Sequence, residues 1–232
     1  MNTIKKKSDK KKADLSEVYN KMTKYSLKDA IAILKKIDHS KFDPSIELHI
    51  RLNIDPKKSD QQIRGAVSLP HGTGKIIRIA AFVSPENESD CKDAGADVCG
   101  GETLIAEIKK TEKTDFDVAV AEPLMMRNLA PIAKILGTRG LMPSPKNDTV
   151  SPNPAKTISE LKKGKISFKN DDTSNLHTVI GKLSFDDSKL IENYQAFIIN
   201  LRKIKPASAK GTYIKSASIC ASMSPSIKLD LE

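Results

Sequence analysis

From Ile46 to Ile54 the chain alternates without a break: Ile46, Leu48, Ile50, Leu52 and Ile54 are interleaved with Glu47, His49, Arg51 and Asn53. Period two of this kind predicts a strand with one buried and one polar face. Ahead of it, Leu27, Ile31, Leu34 and Ile37 recur at helical spacing. Ser26, with Asp29 three residues on, reads as the capping box that opens that helix. Lys41-Phe42-Asp43-Pro44 breaks the helix and hands over to the strand.

Beyond Gly72 and Gly74 the style changes. Ile76 to Val83 predicts an apolar strand, then a helical stretch to Ala94-Gly95, a short strand at Val98 and a helix from Thr103 through Ile108. Asp117 to Ala121 reads as a buried strand, and Leu124 to Leu136 as a helix ending at Gly137. Strands alternating with helices predict a parallel or mixed α/β layer over residues 72–163. After Gly164 strands dominate again. Ile166 and Phe168 alternate, Asn170-Asp171-Asp172 turns, and Leu176 to Phe185 returns. Leu190, Tyr194, Phe197, Ile198 and Leu201 mark a long amphipathic helix that Pro206 stops. Strands at Tyr213 to Cys220 and at Ile227, Leu229 and Leu231 close the chain.

The predicted fold is an α+β domain interrupted by another. Residues 1–71 plus 164–232 form a split domain with helices on one face of an antiparallel sheet. Residues 72–163 form an inserted α/β (Rossmann-like) domain. The chain crosses between them near Gly72 and near Gly164. A glycine at each crossing suits a paired hinge, because glycine tolerates changing backbone angles.

Charge sharpens this division. The net charge is +10, with pI ≈ 9.4. Residues 1–71 carry +7, residues 164–232 carry +3, and residues 72–163 are neutral. Six lysines against Asp9 in the first twelve residues make residues 1–13 a flexible basic tail. Basic ends folded around a neutral insert make one polyanion-binding face. The plainer reading is a solvated surface with a loose basic tail.

Other chemistry finds little support. Cys91, Cys99 and Cys220 are an odd number without Cys-x-x-Cys spacing, so neither a disulfide framework nor a zinc site is indicated, which fits a reducing cytoplasm. His39, His49, His71 and His177 lack metal-ligand or triad spacing, and His49 reads as solvated on its polar face. No catalytic residue, metal ligand or cofactor is therefore predicted. No apolar run approaches membrane-spanning length. Gly72-Thr73-Gly74-Lys75 invites a phosphate-loop reading, but Leu69 stands where that loop needs its first glycine and Ile76 where it needs a hydroxyl. A nucleotide- or phosphate-binding enzyme using this turn stays the alternative from another class, beside a generic basic RNA scaffold.

Four blocks carry a resemblance. They are Ile54 to Lys75, Lys41-Phe42-Asp43, Ile135-Leu136-Gly137-Thr138-Arg139-Gly140-Leu141-Met142-Pro143-Ser144-Pro145-Lys146, and Ala209 to Tyr213 running on to Ser222-Met223-Ser224-Pro225-Ser226. Together they resemble the L-one family of bacterial large-subunit ribosomal proteins, which build the mobile lateral stalk. The resemblance implies a cytoplasmic, ribosomal, non-enzymatic protein, a monomer within the ribosome. Its partners would be large-subunit rRNA, exit-site tRNA whose release it assists, and its own mRNA as a translational repressor. The family's RNA contacts map onto Lys41, Phe42, Ser45, Glu47, Lys169, Asp171, Ser216, Ser222, Met223 and Ser224. Ser45 and Ser222 replace the family's threonines and keep the hydroxyl, which can meet a ribose 2′-hydroxyl. Ser224 adds a side chain where the family has glycine, and Thr138 stands where it has proline. Read without the resemblance, Phe42 is as well suited to the core as to stacking on a base, and the Lys169 and Ser222 loops are ordinary turns.

Overall fold

The computed structural model describes residues 19–209 and 211–231; the expected tail, residues 1–13, lies outside them. The chain divides into two compact units. One gathers the chain up to Ile63 with Lys169 onward, and the other runs Arg64–Phe168.

In the first unit, helix α1 (Leu27–Ile37) opens at the predicted cap. Ser26 Oγ accepts the Asp29 N–H at 3.3 Å and donates to the Asp29 carboxylate at 2.7 Å. Asp29 in the first turn and Lys35 and Lys36 in the last suit the helix dipole. Strand β1 (Ser45–Leu52) buries every second side chain, as its alternation requires. It lies between β7 (Asn175–Lys182) and β8 (Ile214–Ala221), and β9 (Ile227–Leu229) completes an antiparallel sheet of order β7-β1-β8-β9. Helix α6 (Asp187–Lys203) ends three residues before Pro206. Helices α1 and α6 pack against each other and against β7, β8 and β9. Ile46, Leu48, Ile50 and Leu52 are buried, while Ser45, Glu47, His49 and Arg51 point to the opposite, open face.

The second unit is built on β3 (Ile79–Phe82), β4 (Val98–Gly100) and β5 (Val118–Ala121), parallel and ordered β4-β3-β5. Ala80, Phe82, Ala119 and Ala121 pack with Ile105 and Ile108 of α3 (Glu102–Thr111) and Leu136 of α4 (Ala133–Thr138). Ile79, Ala81, Val83 and Val120 pack with Cys91 of α2 (Glu88–Asp93) and with Ile158 and Leu161 of α5 (Pro154–Lys162). Both sheet faces are thus covered, which explains why the strands read as continuous apolar runs. A separate pair, β2 (Arg64–Ser68) with β6 (Lys165–Lys169), completes this unit almost entirely. These strands pair with each other and not with the four-stranded sheet. The segment expected as the insert, residues 72–163, falls wholly within Arg64–Phe168.

Two local expectations need correction, and one helix was not anticipated. The strand expected over Ile76 to Val83 is confined to Ile79–Phe82, and Ile76 is 88% exposed. Asp117 holds the preceding segment out of the ladder by accepting the Arg78 N–H at 3.0 Å and the Lys75 ammonium at 2.6 Å. The single helix expected from Leu124 to Leu136 is instead two 3₁₀ turns, Leu124–Met126 and Ala130–Ile132, followed by α4. Pro131 supplies no N–H, which interrupts a regular α-helical ladder there. Helix α5 begins with Pro154 in its first turn, a placement that proline tolerates and that the apolar pattern did not reveal.

Candidate nucleic-acid interface

All ten predicted contact residues belong to the first unit. That unit holds 24 basic against 16 acidic residues, a net +8, and the second holds +2. Pairing of β1 with β8 sets Ile46 opposite Ala221, which brings Ser45 beside Ser222. The Ser222 N–H donates to the Ser45 carbonyl at 3.0 Å, and its hydroxyl reaches the same oxygen at 3.4 Å. Lys182, opposite Ser45 on β7, donates to the Ser45 hydroxyl at 3.1 Å and to the Asp43 carbonyl at 3.2 Å. Asp43 in turn accepts the N–H and hydroxyl of Ser184 at 3.1 and 2.8 Å. The residue after Phe42 is therefore pinned from two sides.

Phe42 itself is 54% exposed, so it is not a core side chain, and Lys41 beside it is exposed as well. Met223 is 93% exposed and sits at φ +66°, a left-handed conformation that non-glycine residues seldom adopt. It is held there by a tight turn in which the Ser224 N–H donates to the Ala221 carbonyl at 2.8 Å. Ser224 is half-buried. Lys41, Phe42, Ser45, Ser222, Met223 and Ser224 thus lie at one end of β1 and β8, with two large apolar side chains open to solvent.

The remaining residues lie elsewhere on this unit. Ser216 is opposite Arg51 at the far end of β1, roughly 20 Å from Ser45 at strand rise. Asn175 of β7 is the other neighbour of Arg51, and the turn carrying Asp171 adjoins it. Asp171 accepts the Thr173 N–H and hydroxyl at 2.9 and 2.7 Å and the Asn175 N–H at 2.6 Å. Partial desolvation acts to raise its pKa, but these donors and the nearby His177 ring overcome it and hold the carboxyl down at about 2. Lys169 is exposed at the end of β6. Glu47 lies one rung inside the Ser45 end, opposite Cys220 and Val179.

Sequence reasoning missed the middle of this face. His49 is not simply solvated. Its Nδ1 lies 2.7 Å from His177 Nδ1 and its Nε2 lies 3.1 Å from Cys220 Sγ. Desolvation and the neighbouring His177 lower the His49 pKa, against a smaller opposing pull from Glu47. Desolvation, with Glu47 adding to it, raises the Cys220 thiol. No local spacing signals this meeting, because the residues come from three strands and only the sheet register unites them.

In the second unit, Gly72 and Gly74 have φ +63° and +73°, and Gly164 has φ +104°. The Lys75 ammonium of the same turn is paired with Asp117 at 2.6 Å. A carboxylate holds the lysine that a nucleotide phosphate would have to engage. Among the described residues, no helix is long and apolar enough to cross a membrane.

Comparison with known proteins bears on the whole chain. The model of the Ribosomal protein L1p/L10e family matches residues 34–225. A "Large ribosomal subunit protein uL1" of Kosmotoga olearia is 46% identical over 224 residues, covering 97% of this chain and 96% of that protein. The protein of the same name from Flavobacterium psychrophilum is also 46% identical over 224 residues, covering 97% of each.

Proposed function

The chain belongs to the ribosomal protein L1p/L10e family, and from that we propose that it is a constituent of the large ribosomal subunit, bound to large-subunit rRNA through its first unit. The observation that carries the binding reading is the pairing of a net charge of +8 with Phe42 and Met223 exposed on the same unit. Charge supplies long-range, salt-dependent attraction to phosphates. The exposed ring and thioether supply contacts that depend on an unstacked base or ribose. Lys41, Ser45, Glu47, Lys169, Asp171, Ser216, Ser222 and Ser224 complete the proposed contact set. It extends along the length of β1.

In this reading the neutral insert, residues 72–163, stays off the rRNA and forms the moving part of a lateral stalk. Gly72 and Gly164 serve as the paired hinge. The moving part meets deacylated tRNA at the exit site and assists its release. The same RNA-binding face binds the chain's own mRNA and represses its translation. The chain works in the cytoplasm, as a monomer within the ribosome and without catalysis.

The test is copurification of the full-length chain with large ribosomal subunits at moderate salt, followed by binding to isolated large-subunit rRNA and to random RNA of equal length. Retention on large subunits with at least a hundredfold preference for the rRNA is expected. Equal affinity for both RNAs would reduce the protein to a generic basic scaffold.

A further inference from the structure

Three donor atoms of different chemistry converge on the open face of the four-stranded sheet. His49 Nε2 lies 3.1 Å from Cys220 Sγ and 3.8 Å from Glu47 Oε2, and the three groups lie within 4.8 Å of one another. The register explains the meeting. Glu47 and His49 are two residues apart on β1 and share a face, and Cys220 of β8 stands opposite Glu47, a diagonal neighbour of His49. All three side chains are half-buried, so the cluster is accessible from solvent yet partly shielded.

A row of partners behind His49 fixes how its ring is protonated. His177 is directly opposite His49 on β7, and the two Nδ1 atoms are 2.7 Å apart, so one of them carries the shared proton. His177 Nε2 faces the Asp171 carboxylate at 3.6 Å, which favours a proton on that nitrogen. With its proton on Nε2, His177 offers its Nδ1 lone pair to the His49 Nδ1–H. The His49 Nε2 lone pair is left directed toward Cys220 and Glu47. Metal-binding histidines characteristically hold the other ring nitrogen in such a hydrogen bond to a second residue.

We propose that Glu47, His49 and Cys220 form a Zn²⁺ site on this sheet face, with His177 and Asp171 as outer partners that orient the His49 ring. Nitrogen, thiolate sulfur and carboxylate oxygen suit a borderline-soft divalent ion. Around a tetrahedral zinc, nitrogen-to-sulfur separations are about 3.6 Å and nitrogen-to-oxygen about 3.4 Å. The observed 3.1 and 3.8 Å need only small side-chain adjustments to reach those values. Water takes the fourth position from the solvent side. On binding, zinc–water bonds of the hydrated ion break and the waters leave to solvent as bonds form from zinc to the His49 nitrogen, the Cys220 sulfur and the Glu47 oxygen. The Cys220 thiol proton leaves to solvent, and nothing is oxidised or reduced. The site goes beyond the RNA reading, with which it shares the ligand Glu47 and the outer partner Asp171, so it is tested without RNA.

The experiment uses the reduced full-length chain. Co²⁺ is titrated as a spectroscopic probe, and Zn²⁺ is then titrated against a chromophoric chelator. One equivalent of Co²⁺ is expected to give thiolate charge-transfer and four-coordinate d–d bands, both abolished by one equivalent of Zn²⁺. Cys220→Ser should remove the charge-transfer band, whereas Cys99→Ser should leave it intact. His49→Gln and Glu47→Gln should each weaken Zn²⁺ binding at least tenfold. His177→Ala should weaken it about tenfold through the lost outer partner. In the unsubstituted chain, Zn²⁺ should shift the ring-proton resonances of two of the four histidines, His49 and His177, and leave His39 and His71 in place. A charge-transfer band that survives Cys220→Ser, unchanged affinity in His49→Gln, or unmoved His49 resonances would each overturn the site.

Discussion

Gly72 and Gly164 pack backbone against backbone: a Cβ on Gly164 would collide with the Cα of Gly72, and a Cβ on Gly72 would lie 3.6 Å from the Cα of Gly164. The Leu69 N–H donates to the Gly164 carbonyl at 3.3 Å, which ties the two passages of chain together just beside the contact. Both glycines also have positive φ, so backbone conformation and close approach each require the missing side chain. A hinge reading needs only the first of these. Jointly they make the pair a narrow neck where the chain leaves and re-enters β2 and β6.

The neck predicts a clean excision. Because its two sides already touch, replacing residues 73–163 with two or three glycines should close without straining β2 or β6. The resulting chain should keep rRNA affinity within about tenfold, ~1.4 kcal/mol. Filter binding of the excised and full-length chains to the same rRNA fragment checks this. A folded excision product without affinity would mean that residues 73–163 also contact RNA.

Gly164→Ala tests the contact itself. A left-handed alanine costs about 1–3 kcal/mol, and the collision with Gly72 adds a comparable overpacking term. The sum should appear as a loss of about 2–4 kcal/mol in urea unfolding. Gly72→Ala should cost only about 1–2 kcal/mol, since its Cβ would meet the Lys163 carbonyl at an ordinary 3.4 Å. Similar losses in both variants would show that the neck relaxes.

Phe42 and the first twelve residues should separate specificity from general affinity. Phe42→Ala removes a ring that is half in solvent, so folding stability should change little. Loss of stacking should weaken cognate rRNA binding by about 1–3 kcal/mol and leave random RNA almost unaffected. Removing residues 1–12 should instead weaken both RNAs and flatten the salt dependence, because fewer counterions are released. Binding isotherms at several salt concentrations distinguish the two behaviours, and equal loss on both RNAs in Phe42→Ala would assign the ring to nonspecific contact.

Asp171 gives a pH signature. Its carboxyl falls from the ordinary 3.8 to about 2 in the folded chain. The associated stability is therefore present above pH 3.8 and lost as the pH falls toward 2. Because the side chain is 36% exposed, screening reduces the contribution to about 1 kcal/mol. Asp171→Ala should lose that amount at neutral pH and show a shallower loss of stability between pH 4 and pH 2. An acid-unfolding curve that keeps its wild-type steepness would assign the acid response to other carboxylates.

What the sequence disclosed was local. The Ser26–Asp29 cap, the alternation of β1 and the stop at Pro206 each act within a few residues, and each appears where the pattern placed it. The stretch Leu124 to Leu136 misled because its apolar spacing suits a helix while Pro131 denies one donor to the ladder. The pairing of β2 with β6 joins residues about a hundred positions apart and leaves no periodic trace. The same holds for His49, His177 and Cys220, whose meeting depends on two strand registers at once. At the proposed RNA site, the residues near Ser45 were legible through resemblance. Their separation from Ser216 and Asp171 was not, because distance along a strand is set by pairing.

Met223 provides the sharpest test of the RNA reading, because its conformation and its exposure are both unfavourable without a ligand. It occupies the third position of the Ala221–Ser224 turn at φ +66°, where glycine or asparagine is the usual choice. Left-handed backbone costs a residue such as methionine about 1–2 kcal/mol relative to its preferred regions. Its side chain recovers little of that, since it is 93% exposed. Asparagine accepts this conformation more readily, so Met223→Asn should raise folding stability by about 0.5–1 kcal/mol. The same substitution removes a polarizable apolar side chain from the proposed contact surface, and cognate rRNA affinity should fall by roughly tenfold, ~1.4 kcal/mol. Stability and affinity then move in opposite directions, as expected of a strained residue kept for binding. Urea unfolding and rRNA binding on the same preparation measure both. A variant that gains stability and keeps full affinity would remove Met223 from the interface.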